Sequence, residues 1–460
     1  MNLEKHVDIM LISPESEIKI ISNIAKKFSY SFKSITTIDA ILEETVTPSL
    51  LIVSEFADSK EVSVDELIQI SRQQFPEAYL ILIVEKELTK ERFNFLSKLG
   101  AKTVMLKKEI LTAKVSFAVN QILKAGYIPL KPLDLMADVE IPFAIFHLIP
   151  YSKKFLQLTK SGEKLSQAKF EKYKQGPELY IQRQDNEALQ KFIKNTVDNS
   201  AKGLAKRCRA NFVALQDEFT NLVFDLSDES NRVSFGEGQV LFNRCEKLCE
   251  ELLMNLAEFP KAWEIINNSS IGDFGSLERS PAIAAYCGMF ALNLEVKDNS
   301  ILMLVALLID IAITSLNDTI ADKLRDDIPL NEEEIKEYKR VPQKSLDMVL
   351  ARKVALNEKI RAILLGVYER ADGTGYPKGL LSEKLTLESQ LIRFSKIFDQ
   401  RTMLKLGGLR ENPLEVMRSM LNDDDIKKSF STLFLFNIQN NIVNGDLFAE
   451  YRNQEKLNGV

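Results

Sequence analysis

Four short, nearly unbroken apolar runs near the N-terminus constrain the fold most: VDIMLI at 7–12, SLLIVS at 49–54, AYLILIV at 78–84 and TVMLK at 103–107. A strand with one wet face alternates polar and apolar residues, so unbroken runs fit strands covered on both faces, as in a parallel sheet. Helix-length amphipathic stretches lie between them, VDELIQISRQQF at 64–75 and KERFNFLSKLG at 90–100. This alternation predicts a doubly wound α/β domain over residues 1–125, with any chemistry at the carboxyl ends of the strands.

Histidine sets the second constraint. The 460-residue chain contains only His6 and His147, which excludes a multi-histidine metal centre. Such a length predicts two to four domains. The 60 Lys and Arg against 65 Asp and Glu leave a net charge of −5, which argues against a surface built mainly for nucleic acid. Four cysteines do not make a disulfide scaffold. Cys245 and Cys249, four apart on an expected helix, read as small buried side chains rather than a metal or redox pair. No secretory signal is visible, and the longest apolar run, 301–309, stops at Asp310, short of the roughly 18 residues a span needs. The expectation is a cytoplasmic protein without a membrane span.

Residues 126–232 predict a small mixed α/β domain and a helical linker, with Pro129, Pro132, Pro142 and Pro150 punctuating the entrance. FAIFHLI (143–149), KFLQLTK (154–160) and ELYIQRQ (178–184) read as short strands, KLSQAKFEKYKQG (164–176) as a helix closed by glycine, and 187–225 as mostly helical. Within 151–210, 14 Lys or Arg face 6 Asp or Glu, a local net of +8. A solvated face is the plainer reading, with an anionic ligand, nucleic acid or an acidic partner as alternatives.

Residues 233–460 read as all-helical. ERADGTGYPKGL at 369–380 is a tight loop, in which two glycines permit φ > 0 and a proline fixes the exit. NEKIRAILLGVYER (357–370) and LESQLIRFSKIFDQ (387–400) read as the flanking helices. NSILMLVALLIDIAI (299–313), apolar all round, reads as a buried helix capped by Asn299 or Ser300.

This part of the chain resembles the HD-GYP family, bacterial metal-dependent phosphodiesterases that hydrolyse cyclic-di-GMP on an all-helical HD-type domain. DGTGYPKGL at 372–380 is similar to the family's loop almost letter for letter. LLIDIAI (307–313) sits where LLHDIGK would be, and FSKIFD (394–399) where a VADVFD-like segment would be. The resemblance implies histidines and carboxylates around two or three metals, whose bound water attacks the phosphodiester. Carried over position by position, the early Glu and His fall on Gly275 and Arg279, and the His-Asp pair on Ile309 and Asp310. The next His falls on Val341 before Pro342, the paired histidines on Val367 and Tyr368 followed by a matching Glu369, and the first late Asp on Lys396, with the second matching as Asp399. Of this ligand set only Asp310 remains. A substrate-holding arginine becomes Lys405, its neighbouring lysine Gly408, and the lysine after the His-Asp pair Ile313.

A lone buried carboxylate costs several kcal/mol, so Arg279, Lys396 or both are expected to pair with Asp310 where metal charge would be. The alternative is that Asp310 caps a neighbouring helix. The loop Asp372, Gly373, Thr374, Gly375, Tyr376 and Pro377 is either a partner-binding loop or a structural turn; a structural turn explains Gly373 and Gly375 easily but explains Tyr376 and Lys378, expected to be exposed, less well.

The first 120 or so residues resemble, in the same way, the receiver domain of bacterial response regulators, through the strand rhythm and GAKTVMLKK (100–108), with Lys107 at the receiver lysine. That resemblance implies an acidic pair after the first strand and an aspartate nucleophile after the third. Here Ser13 and Pro14 take the first place, Ser54 beside Glu55 the second, and Val84 the usual hydroxyl position. The implication is a pseudo-receiver without a phosphoacceptor, used for docking or dimerisation.

Together the resemblances imply a multidomain α/β plus all-α protein: a catalytically inactive HD-GYP pseudoenzyme without a cofactor, serving as a signalling scaffold or regulator in cyclic-di-GMP and two-component signalling. A diguanylate cyclase or a response regulator would be a fitting partner, and a homodimer is compatible. The alternative is a non-hydrolysing effector gripping cyclic-di-GMP or another nucleotide through Arg279, Lys396, Lys405 or the basic middle segment. Residual metal-dependent phosphodiesterase activity ranks below it, and nucleic-acid binding last.

Overall fold

The structure, a computed structural model, describes residues 6–13, 15–55, 62–124, 127–130, 132–149, 154–175, 179–182, 185–196, 200–227, 237–258, 266, 276–402 and 412–458. Pro14, Gly275, Lys405 and Gly408 lie outside the described residues. Contacts divide the chain into two compact units, one of residues 1–126, 224–238 and 314–322, the other of 127–223, 239–313 and 323–460.

The first unit is a doubly wound α/β domain. Strands β1 (His6–Ile12), β2 (Phe32–Ile35), β3 (Thr47–Ser54), β4 (Tyr79–Val84) and β5 (Thr103–Leu106) form one parallel sheet in the order β2-β1-β3-β4-β5. Helices α1 (Glu15–Lys27), α2 (Ile38–Leu42), α3 (Val64–Gln74), α4 (Lys90–Leu99) and α5 (Ala113–Lys124) connect the strands and flank the last. The unbroken runs behave as their composition demands: Met10, Leu51, Leu80 and Leu82 are fully buried. Each such side chain contributes on the order of 1.5–3 kcal/mol through burial. Strand β2, FKSI, has no apolar run and buries only Ile35, whereas β5, TVML, at the opposite edge, keeps one. A capping box at Ser63 and Glu66 starts α3, and left-handed Gly100 ends α4. The short segment 314–322 belongs to this unit: Ala113 N–H donates to Leu316 O at 2.9 Å, and Lys27 pairs with Asp318 at 3.2 Å and with Asp322.

The second unit begins with β6 (Tyr127–Leu130), β7 (Glu140–Ile141), β8 (Ile145–Ile149), β9 (Lys154–Thr159), β10 (Glu163–Lys164) and β11 (Leu179–Gln182). Four of them make an antiparallel sheet, β6-β11-β8-β9, and β7 pairs with β10. Its core draws Leu130, Phe143, Ile145 and Ile181 together with Leu189, Phe192 and Val213 from α7 (Asn186–Thr196) and α8 (Ala201–Ser227), while α6 (Gln167–Gln175) contributes Tyr173. The remaining helices of the chain are α9 (Glu237–Glu258), α10 (Ser276–Asn293), α11 (Asn299–Leu308), α12 (Asp318–Arg325), which begins in the first unit, α13 (Glu332–Tyr338), α14 (Val341–Ala351), α15 (Glu358–Gly366), α16 (Leu387–Thr402), α17 (Pro413–Asn422), α18 (Asp424–Ser429), α19 (Thr432–Asn437) and α20 (Ala449–Asn458). The cap of α11 is neither Asn299 nor Ser300 but Asp298, left-handed at φ 58° and making no side-chain cap bond. Burial rather than capping holds this helix, since Leu302 to Leu308 are all buried. Among the described residues no helix is long and apolar enough to cross a membrane.

Candidate functional site

Asp310 is carried into the core by α11, whose apolar surface is buried on every side, and the carboxylate is fully buried. The chain then tightens into a 3-10 turn over Ile311–Ser315, with Ile313 N–H donating to Asp310 O at 2.9 Å. Ser345, from α14, fixes both sides of this turn: its hydroxyl donates to Ile309 O at 3.2 Å and accepts from Ala312 N–H at 3.1 Å.

Two groups satisfy the buried carboxylate. Lys396 of α16 places its Nζ 2.6 Å from Asp310 Oδ2 and 2.6 Å from Tyr368 Oη. The Tyr368 hydroxyl donates to Asp310 Oδ1. Burial, and then the negative charge of Asp310, push the Tyr368 hydroxyl well above the ordinary phenol range, so it stays protonated and able to donate. Around this triad Tyr376 stacks on Tyr368 at 5.2 Å between centroids, and Tyr338 meets Tyr368 edge-on at 6.0 Å.

The other cation has a different partner. Arg279 of α10 takes Asp399, one helical turn beyond Lys396 on α16, in a two-pronged bond of 2.6 and 2.5 Å. Burial works against the guanidinium, but the Asp399 carboxylate outweighs it and raises the Arg279 pKa, holding the cation. The expectation of pairing with Asp310 therefore applies to Lys396 alone. Packing sets the register of the two helices: Tyr286 and Phe290 of α10 meet Phe398 of α16 at 5.2 and 5.3 Å. As prospective anion-binding cations, Arg279 and Lys396 are already committed to internal carboxylates.

These groups do not fit a divalent cation. Both oxygens of Asp310 are taken by an ammonium and a phenol. Ile309, Val341 and Val367, where the family resemblance implies ligands, are buried and apolar. Among the described residues no three His, Cys, Asp or Glu side chains come together as metal donors. Cys287 is buried too, its thiol pushed up to about 12 by burial.

The loop after α15 is built around Glu369, whose structural part the sequence reading missed. Its buried carboxylate accepts Lys378 N–H at 2.6 Å and Leu380 N–H at 2.8 Å, closing the loop onto its own start. Asp372 accepts from Thr374 N–H and hydroxyl, and the Arg370 guanidinium beside it holds its carboxyl far below the usual range. Gly373 is left-handed at φ 77°, but Gly375 is not; it is needed for space, since a Cβ there would lie 2.5 Å from Glu369 Cα. The Tyr376–Pro377 peptide is cis. Tyr376 is half-buried against Tyr368 rather than exposed, whereas Lys378 is exposed.

At the carboxyl edge of the parallel sheet, Ser13 and Ser54 are buried. Ser13 donates to Glu17 at 2.5 Å, and Lys107 reaches Glu85 at 2.5 Å and Glu17 at 3.8 Å.

Residues 251–424 match the family model described as HD domain, a span that holds Asp310, the loop and both buried ion pairs. No curated protein matches the chain. Among solved structures the chain is similar to Bd1817, described as a HDG"Y"P protein from Bdellovibrio bacteriovorus, with a TM-score of 0.45 and 16% identity over 69% of this chain and 100% of that one.

Proposed function

We propose that this chain is a catalytically inactive HD-GYP-type protein, a pseudoenzyme that serves as a signalling scaffold or regulator. One observation carries the reading: Lys396 Nζ lies 2.6 Å from Asp310 Oδ2. An ammonium there neutralises the carboxylate that would otherwise call for a metal, and it occupies the approach a metal would need. The parallel-sheet domain fits the same reading as a pseudo-receiver, its strand order being that of flavodoxin-like folds and Ser54 standing at the end of β3. A protein partner from cyclic-di-GMP signalling, such as a diguanylate cyclase or a response regulator, suits a scaffold of this kind.

The test is incubation of the full chain with cyclic-di-GMP and Mn²⁺, Mg²⁺ or Fe²⁺, with product analysis by chromatography and calorimetric titration in parallel. Intact nucleotide and no heat of binding are expected. Turnover would overturn the reading, and binding without turnover would replace the scaffold with a nucleotide-reading effector.

A further inference from the structure

We infer that the outer side of the Glu369 loop is a docking groove for an acidic peptide segment with one aliphatic anchor. The inference rests on the scaffold reading above and deepens it by stating the chemistry of the partner. Between α15 and α16, beneath the end of the loop, lies a groove of about 130 Å³. Ala362, Leu365, Leu380 and Leu385 make its apolar floor. An apolar cavity of about 150 Å³ is large enough to take a benzene ring, so this one suits a single branched aliphatic side chain.

The charge around the groove selects what would flank that anchor. Lys378 and Lys384 line it, both are exposed, and neither makes an ion pair among the described residues. Glu369 also lines it, but its carboxylate faces the backbone N–H groups of Lys378 and Leu380. Glu383 is the exposed acid nearby in sequence and does not line the groove. Two unpaired ammonium groups beside an apolar floor favour a segment carrying carboxylates on either side of a leucine-like residue. The walls of the groove are tied together: Glu369 closes the loop, and Ser389 joins α16 to α15 by donating to Ile363 O at 3.1 Å. A preformed site loses less freedom on binding than a mobile one.

The experiment is fluorescence anisotropy of a labelled heptapeptide with one leucine between runs of aspartate and glutamate, titrated with the full chain. Two control peptides replace the acids by asparagine and glutamine, or the leucine by alanine. A saturable rise is expected for the acidic leucine peptide, with each control at least about tenfold weaker and the affinity falling as salt is added. Lys378→Glu with Lys384→Glu, and separately Ala362→Trp, which fills the groove without changing charge, should each lose at least about tenfold. No rise, equal binding of the alanine peptide, or wild-type binding by both variants would overturn the proposal. The control peptides decide the matter on the unaltered protein if a variant does not fold. Hydrolysis of cyclic-di-GMP is read in a separate assay, so failure of the groove and failure of the pseudoenzyme reading are distinguishable.

Discussion

In the helical unit, Asp310 and Asp399 lie against Lys396 and Arg279 with side-chain exposures of 0, 3, 15 and 5%. At the carboxyl edge of the parallel sheet, Glu17 and Glu85 share Lys107, with 38% of the lysine and 39% of Glu85 open to water. Both places hold carboxylates next to cations. The surroundings differ. In the dry site each carboxylate has a single cation beside it and little access to solvent, so the ion pairs are structural requirements. At the sheet edge water can take over when a partner is lost, and the same kind of contact is optional.

The sharpest way to break this comparison is to remove one member of the driest pair. Arg279→Ala leaves Asp399 buried and uncompensated, which should destabilise the native state by about 3–5 kcal/mol in urea unfolding. Replacing both, Arg279→Leu with Asp399→Leu, should recover most of that loss, since an apolar pair of similar volume is often neutral or better. A double variant as unstable as the single one would mean that packing, not uncompensated charge, sets the cost.

The next effect is read through pH. Burial and Asp310 raise the Tyr368 pKa above its ordinary 10.0, so the folded chain keeps a proton that the unfolded chain loses. Unfolding then releases a proton above pH 10, and stability falls as pH rises. The stabilisation is fully present below the unfolded value and is lost on the way up through the folded one, at up to about 1.4 kcal/mol for each pH unit. Denaturant unfolding between pH 9 and 11 should show this slope, and Tyr368→Phe should make it shallower. Tyr338 and Tyr376, and the buried thiols of Cys208, Cys245, Cys249 and Cys287, are raised by burial as well and contribute to the slope that remains.

Legibility in the sequence follows the range of the interaction. Four of the five strands, the inner β1, β3 and β4 and the edge strand β5, were readable because their burial is written locally, as unbroken apolar runs, whereas the other edge strand, β2, carries no such signature. The Asp310–Lys396 contact could be anticipated from a charge argument, because a buried carboxylate must find a cation. Arg279 with Asp399 could not be separated from it, since 120 residues lie between the partners and only the packing of α10 on α16 decides which carboxylate is reached. The loop shows a third limit. Its glycines were visible, but Glu369 as the closing clamp was not, because an acid ahead of a glycine-rich turn looks the same whether it binds backbone, metal or water. Tyr376 was misplaced for the related reason that a tyrosine's exposure depends on a ring, Tyr368, that the loop folds back to meet.

The smallest expected effect is the one that sharpens the comparison most. Lys107 meets Glu85 at 2.5 Å, as short as the pairs of the dry site, and lies 3.8 Å from Glu17. If distance alone governed the energetics, Lys107→Ala would cost as much as Arg279→Ala. Because the lysine and Glu85 are both more than a third exposed, solvent screening should hold the cost below about 1 kcal/mol, and the cost should shrink as salt is added. Glu17 is the exception within this cluster, at 3% side-chain exposure, but Ser13 keeps its hydrogen bond to that carboxylate when Lys107 is gone. Urea unfolding of Lys107→Ala at low and high salt measures both points. A loss of several kcal/mol that survives high salt would put the sheet edge in the same class as the buried pairs, with Glu17 as the group whose desolvation makes it so.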